Sequence, residues 1–328
     1  MAKEHSEHEV DLSLLSGKVI GIVGYGNQGR AQALNMRDSG VADIRIGTAR
    51  DATYDKAVDD GFAVGSVPEV VEQADIVFML IPDEIMPSIY REQVEPHLAQ
   101  GNVLNFASGY NITFKHIVPP AGVDVIMVAP RMIGDGVRRL FLSKAGYPVF
   151  TAVEQDATGT ARQTAEALAQ AMGATPRGTI EVTFKDETMM DLLAEQAIWP
   201  MILSILTEAF NFEVEKGHPP EASLIELYLS TEPAYMFEKM AQVGLYGQLP
   251  LHSHTSQYGQ LSRAKALDKS FIRKTLEAAY AHIESGKFAQ EWNAEQEAGL
   301  PEFKRLLDEA FNSRISQLEA KLLPKSNQ

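Results

Sequence analysis

Val19-Ile20-Gly21-Ile22-Val23-Gly24-Tyr25-Gly26-Asn27-Gln28-Gly29 carries the strongest structural signal in the chain. Five apolar residues in a row read as a strand covered on both faces, and the glycines that follow stand where a strand turns sharply into a helix. In a Gly-x-Gly-x-x-Gly turn each glycine has its own task. Gly24 permits the tight turn, Gly26 lets the backbone approach a pyrophosphate, and Gly29 lets helix and strand pack closely. The helix opening there presents a partly positive N-terminus to phosphate. Gly24, Tyr25, Gly26, Asn27, Gln28 and Gly29 are therefore candidate dinucleotide-binding residues. A glycine-rich turn without a ligand is the alternative, and the strand before it and the Val/Ile-rich units after it weigh against that.

The same rhythm continues outward through residues 18–150. Apolar runs recur at Ile44-Arg45-Ile46, residues 76–81, Val103-Leu104-Asn105-Phe106, residues 123–128 and Val149-Phe150, with helical spacing between them at 28–37 and 54–60. Continuous rather than alternating runs imply a parallel sheet with helices on both faces. After Glu181 the strand signals stop, and helical patterns occupy 185–216, 220–230, 233–243, 269–285 and 300–323. The expected class is α/β: a Rossmann-type doubly wound parallel sheet over residues 1–182, then an all-α domain over 183–328. The length of 328 residues suits two domains.

Composition excludes several functions. A net charge of −15 and no basic run longer than two residues argue against nucleic acid as a partner. The absence of cysteine removes disulfides, thiolate metal sites and cysteine nucleophiles. The polar first eight residues contain no apolar targeting region, and the uninterrupted apolar runs are shorter than a membrane span, so a cytoplasmic protein without membrane contact is expected. His5 and His8 are expected to lie in a disordered tail.

Which nicotinamide cofactor fits depends on the residues after the second strand, Gly47-Thr48-Ala49-Arg50-Asp51-Ala52-Thr53. Asp51 could accept from a free ribose 2′-hydroxyl and repel a 2′-phosphate, whereas Arg50 could pair with that phosphate. Arg50, Asp51 and Thr53 are the candidates, and the acid tips the expectation toward NAD(H) over NADP(H).

In the helical half, Asp191 and Glu195 stand four residues apart among apolar neighbours, with Glu187 a further step back. Like charges at that spacing repel, and burial would make the repulsion costly unless a cation lies between them. Two carboxylates on one face are hard oxygen ligands suited to Mg²⁺. Pro200 lacks an N–H and should disturb the helix just past Glu195. Glu226, inside Leu224-Ile225-Glu226-Leu227-Tyr228-Leu229, is a third acid of this kind. The alternative is a solvated edge paired with arginine or lysine elsewhere.

The chain resembles ketol-acid reductoisomerase in its short form, an NAD(P)H- and Mg²⁺-dependent family. The resemblance spans nearly the whole length. It rests on the glycine motif followed by Ala31-Gln32-Ala33-Leu34-Asn35, on Leu80-Ile81-Pro82-Asp83-Glu84, on Ile117-Val118-Pro119-Pro120 and Ala129-Pro130, and on Thr183-Phe184-Lys185-Asp186-Glu187-Thr188 leading to Asp191 and Glu195. Residues 253–259 and Ser285-Gly286-Lys287-Phe288-Ala289 also match family segments. It implies a knotted helical domain and homodimers or larger homo-oligomers with shared active sites. It further implies that Asp191 bridges two Mg²⁺ ions, Glu195 binds one, Glu226 reaches the other from the partner subunit, and Ser253 holds the substrate carboxylate. Pro82, Asp83 and Gly109 join the cofactor-binding set on the same basis.

The chain departs from the family pattern on the substrate side. Ser108 replaces a histidine, Arg131 replaces a lysine, and Ser230 falls where a second partner-subunit glutamate is expected. Arginine is a planar fork that cannot give up its proton, unlike a lysine ammonium. The leading expectation is thus a family oxidoreductase with an altered small, polar acid substrate, Ser108 and Arg131 facing it. The first alternative is an ordinary ketol-acid reductoisomerase acting on 2-acetolactate. The second is a non-catalytic NAD-binding protein, disfavoured by the cost of keeping three acids buried without a cation.

Overall fold

The structure, a computed structural model, describes residues 4–5, 10–174 and 178–323. The chain divides into two compact units, residues 1–190 and 191–328.

Nine strands of the first unit form one sheet among the described residues: β1 (Glu4–His5), β2 (Val19–Val23), β3 (Asp43–Gly47), β4 (Ala63–Gly65), β5 (Ile76–Met79), β6 (Val103–Phe106), β7 (Asp124–Pro130), β8 (Val149–Gln155) and β9 (Thr179–Glu181). Their spatial order is β1-β9-β8-β7-β6-β5-β2-β3-β4. From β2 the chain winds outward to β3 and β4, then returns to place β5 on the other side of β2. The order therefore reverses between β2 and β5, where an open α/β sheet leaves a crevice beyond its strand ends.

Both faces of the sheet are covered, which is why its strands read as unbroken apolar runs. Ile20, Ile22, Ile76, Phe78, Ile126 and Val128 enter one core. Their sequence neighbours Val23, Val77, Met79, Val125, Met127 and Ala129 enter the other. The helices of this unit are α1 (Asn27–Asp38), α2 (Ala52–Asp59), α3 (Val67–Gln73), α4 (Met86–Ile89), α5 (Tyr110–Thr113), α6 (Gly134–Leu142), α7 (Ala161–Ala171) and α8 (Phe184–Leu193), the last running across the boundary between the units.

The expected doubly wound parallel sheet is found, with two of its pairings antiparallel. β7 and β8 pair antiparallel although α6 lies between them in the chain, and β1 pairs antiparallel with β9. Short strands β4 and β9 carry too few apolar residues to register as runs. His5, expected in a disordered tail, lies in β1 opposite Thr179. His8 lies outside the described residues.

The second unit is helical. α8 passes through a π-helical turn, Ala194–Ile198, into α9 (Trp199–Glu215). Then follow α10 (Pro220–Leu224), a second π-helical turn at Ile225–Leu229, α11 (Glu232–Val243), α12 (His254–Ala266), α13 (Ser270–Glu284), α14 (Lys287–Glu297), α15 (Pro301–Phe311) and α16 (Arg314–Leu322). The helix α12 was not legible because its residues are polar and turn-rich. Few apolar side chains of this unit are fully buried, Phe210, Leu224 and Ile283 among them, while Trp199, Leu203, Phe237 and Phe271 are more than half exposed.

One run, Phe184–Glu215, is long and apolar enough by length and composition to cross a membrane, with 17% of its most apolar 18-residue window buried. The expectation from uninterrupted runs is not overturned by this helix, which passes by length and composition only.

The turn beyond β2 is anchored from below. Tyr25 is buried and donates its hydroxyl proton to Asp60 Oδ2 at 2.9 Å, while Arg30 holds the same carboxylate at 2.6 and 2.9 Å. The Arg30 hydrogen bond, with help from Tyr25, holds the Asp60 carboxyl below its ordinary range. A depressed folded value contributes stability that is fully present above the unfolded value near pH 3.9 and is lost as pH falls through the folded value. Asp60→Asn should therefore lower the urea midpoint at pH 7 and narrow its gap to wild type at pH 3. An equal gap at both pH values would contradict the assignment.

Candidate functional site

At the reversal point the strand ends open into a cleft of about 700 Å³. Its lining comes from the ends of β2, β3, β4 and the segment after β5: Gly24, Gly26, Thr48, Arg50, Ser66 and Pro82 are members. Three helices begin at this rim. Gly26 caps α1, Asp51 caps α2 and Ser66 caps α3. Asp51 and the Ser66–Glu69 pair cap α2 and α3, whereas α1 has no side-chain cap, so its unpaired first-turn N–H groups and aligned peptide dipoles are the ones favourable for phosphate.

The three glycines divide their tasks as the motif requires. Gly24 has φ +95°, and a Cβ there would stand 2.6 Å from the Leu80 carbonyl oxygen. At Gly29 a Cβ would come within 2.3 Å of the Gly24 carbonyl oxygen, so α1 packs against the turn only without a side chain. At Gly26 a Cβ would meet nothing within 4 Å. Open space in front of a helix N-terminus is the cradle a pyrophosphate would fill, and the residues present fit a dinucleotide.

Other candidates of the motif act indirectly. Tyr25 lines the cleft, but its side chain is spent on Asp60 and on an edge contact with Phe62 at 5.8 Å. Gln28 donates to the Met132 carbonyl at 2.9 Å and accepts from Gln32 at 3.0 Å. Asn27 lends its carbonyl to the packing of α6, since a Cβ on Gly134 would lie 2.3 Å from it. These contacts tie the α1 turn to the loop after β7.

Asp51 is committed as a helix cap: its Oδ1 accepts from Thr53 N at 2.8 Å and Thr53 Oγ1 at 2.6 Å. Those Thr53 hydrogen bonds lower its pKa. The Arg50 guanidinium lies 5.4 Å from the centre of the Tyr54 ring. Pro82 lines the cleft, and Asp83 accepts from Asn111 Nδ2 at 3.0 Å, linking the loops after β5 and β6. Sequence reading missed Glu69 and Ser66 in the lining. Ser66-Val67-Pro68-Glu69 is a capping-box signature that would have placed a helix start there.

Beyond β6 and β7, Glu187 organises the remaining candidates of this unit. Its side chain is 2% exposed. Oε2 accepts from Gly109 N at 2.8 Å, and Oε1 pairs with Arg131 Nη1 at 2.9 Å. Arg131 also lies over the Phe150 ring at 5.0 Å. Gly109 is obligatory, because a Cβ would stand 2.4 Å from the Phe184 carbonyl oxygen. Ser108 Oγ accepts from Tyr110 N at 3.3 Å. The innermost acid of the 187-191-195 row is thus neutralised by a guanidinium.

In the second unit Asp191 is half-buried, while Glu195 and Glu226 are exposed. This corrects the expectation of three buried acids. Glu195 and Glu226 each sit in a π-helical turn, the first just before Trp199-Pro200, where the proline's missing N–H loosens the ladder. No group of three or more His, Asp or Glu able to hold a metal forms among the described residues. The Asp191 and Glu195 pair still offers the hard-oxygen set that Mg²⁺ accepts alongside water and substrate. Ser230 ends the second π-helical turn in extended conformation, and a new helix starts at Glu232. Ser253 caps α12, accepting from Ser256 N at 3.3 Å. His252 is held by Gln248 at 2.7 Å, a structural role.

A doubly wound sheet with a glycine cradle at its reversal point, followed by an acid-bearing helical unit, defines a dinucleotide-dependent oxidoreductase. Residues 14–178 match the family described as Acetohydroxy acid isomeroreductase, NADPH-binding domain, and residues 184–327 match Ketol-acid reductoisomerase, C-terminal domain. The chain is 41% identical over 324 residues to a ketol-acid reductoisomerase (NADP(+)) of Pyrobaculum calidifontis, covering 98% of both chains. It is likewise 41% identical over 321 residues to the Pyrobaculum aerophilum protein of the same name, covering 97% of each. The structure of an NADH-preferring ketol-acid reductoisomerase from an uncultured archean superposes with a TM-score of 0.92 at 33% identity, covering 100% of both chains. The chain belongs to the ketol-acid reductoisomerase family, and it is an NAD(P)H-dependent oxidoreductase.

Two glycine variants separate cradle from packing. Gly26→Ala should keep the unfolding midpoint but weaken NADH binding at least tenfold, whereas Gly29→Ala should destabilise the fold by about 1–3 kcal/mol. Paired thermal-melt and fluorescence titrations check this, and equal behaviour of the two would refute the division. Glu187→Gln should cost about 2 kcal/mol, read in urea, through loss of the charge-assisted bond to Arg131.

Proposed function

We propose that the protein is a ketol-acid reductoisomerase that converts 2-acetolactate to 2,3-dihydroxyisovalerate with NAD(P)H and Mg²⁺. The observation that carries this reading is the joint retention of the glycine cradle and the Asp191 and Glu195 pair in a chain related to the named enzymes over nearly its full length. Asp191 and Glu195 would hold Mg²⁺, with Glu226 of the partner subunit completing the set. The ion would supply Lewis-acid polarisation of the substrate's oxygens.

The chain's own residues do the rest. The N-terminus of α1, open at Gly26, binds the pyrophosphate. Ser253 and the first turn of α12 orient the substrate carboxylate. Arg131, fixed by Glu187, is a permanent cation at the end of β7; it orients and stabilises negative charge but carries no proton away. NADH is the proposed cofactor over NADPH, on the acidic lining near Arg50. Covering the exposed apolar side chains of α9 and α11 by a second copy supports a homodimer or larger homo-oligomer, and the reading carries a cytoplasmic location.

The second reading is a family enzyme with a different small acid substrate. Ser108, Ser230 and the Arg131–Glu187 pair favour it, since each removes a proton-transfer group the family pattern supplies.

Oxidation of NADH or NADPH with 2-acetolactate and Mg²⁺ tests the first reading, and Asp191→Asn should lower kcat by roughly 100-fold. Absence of 2-acetolactate turnover, with turnover of another 2-keto or 2-hydroxy acid, would favour the second.

A further inference from the structure

We infer that Glu69 is a specificity-determining residue of the cleft, disfavouring a ribose 2′-phosphate and so selecting NADH over NADPH. The inference rests on the dinucleotide reading and names a residue for the proposed preference.

The charges of the described lining are few. Arg50 is its one cation, and Asp51 and Glu69 are its acids. A 2′-phosphate needs the guanidinium, while a free 2′-hydroxyl needs an acceptor. The lining therefore suits the hydroxyl if the acids are fixed in place and Arg50 is already offset.

Glu69 meets the first condition by its hydrogen bonds. Its Oε2 accepts from Ser66 N at 2.9 Å and from Ser66 Oγ at 2.7 Å, a complete capping box at the start of α3. A side chain held by two bonds to its own helix cap does not swing away when a cofactor enters. The same oxygen would lie 3.3 Å from a Cβ on Gly65, so the carboxylate sits against the end of β4. The two Ser66 hydrogen bonds lower the Glu69 pKa most, and the Arg50 charge lowers it further. Arg50 shares the lining with this fixed anion and rests over the Tyr54 ring at 5.4 Å, so a phosphate reaching for the guanidinium would meet the Glu69 carboxylate in the same cleft.

Asp51 repeats the device one strand–helix unit earlier, with Thr53 in the place of Ser66. Two anions fixed by two successive helix caps share the lining with one cation. Attention to residues 47–53 alone would find only the first of them.

The test uses titration of the full-length protein with NADH and with NADPH, followed by nicotinamide fluorescence. Glu69→Gln is the informative variant because glutamine also closes a capping box. Its thermal midpoint should stay near wild type. NADPH should bind about 5- to 10-fold more tightly, the size expected for one screened charge near a phosphate, with NADH changed less than about twofold. Glu72, exposed on the same helix and outside the cleft lining, gives the control: Glu72→Gln should leave both affinities unchanged. An unaltered NADPH-to-NADH ratio in Glu69→Gln, or an equal shift in Glu72→Gln, overturns the role of Glu69. Failure of the wild type to bind either nucleotide overturns the dinucleotide reading itself.

Discussion

The first unit depends on one close approach, that of α1 to the turn ending β2. Residue 29 has no room for a Cβ, which would stand 2.3 Å from the Gly24 carbonyl oxygen. Because the helix lies that near, its first N–H groups face the open space at Gly26 instead of protein. Strand order follows the same economy of space. Placing β5 beside β2 leaves the helix start at an open edge, and the loops after β5, β6 and β7 close round it through Asn111, Gln28 and Glu187.

Cross-ties of this kind explain how a chain can keep a family's cofactor cleft while altering groups beside it. Arg131 is not a loose replacement for an ammonium. It is built into a buried carboxylate that also fixes Gly109, and its guanidinium rests on Phe150. A planar fork suits that double contact better than a point charge. Glu187, which in the sequence looked like a third rung of an acidic ladder, belongs with the arginine.

Much of the fold was legible because burial on two faces leaves a strong trace. The runs at 19–23, 76–81 and 103–106 fell on strands, and the glycine spacing placed the cleft. Strands β4 and β9 left no trace because three residues hold too little pattern. The antiparallel pairing of β8 is not encoded in apolar content. Among the site residues, the glycines were readable from backbone requirements alone. The roles of Tyr25, Gln28 and Glu187 were not, since each depends on a partner 35 to 104 residues away. The exposure of Glu195 and Glu226 was hidden for a related reason: apolar neighbours in sequence suggested burial, but Leu192, Ala197 and Leu224 are buried on one side of their helices while the acids share the other with exposed Ile198, Trp199 and Ile225.

The central claim is that this chain performs a carbon shift as well as a reduction, and isotope placement tests it most directly. The protein would be incubated with 2-acetolactate, Mg²⁺ and NADH deuterated at the transferable C4 position, and the product examined by NMR. The account predicts 2,3-dihydroxyisovalerate with the methyl group moved from C2 to C3 and deuterium at C2. An unrearranged 2,3-dihydroxy-2-methylbutanoate carrying deuterium at C3, or no labelled product, would contradict it.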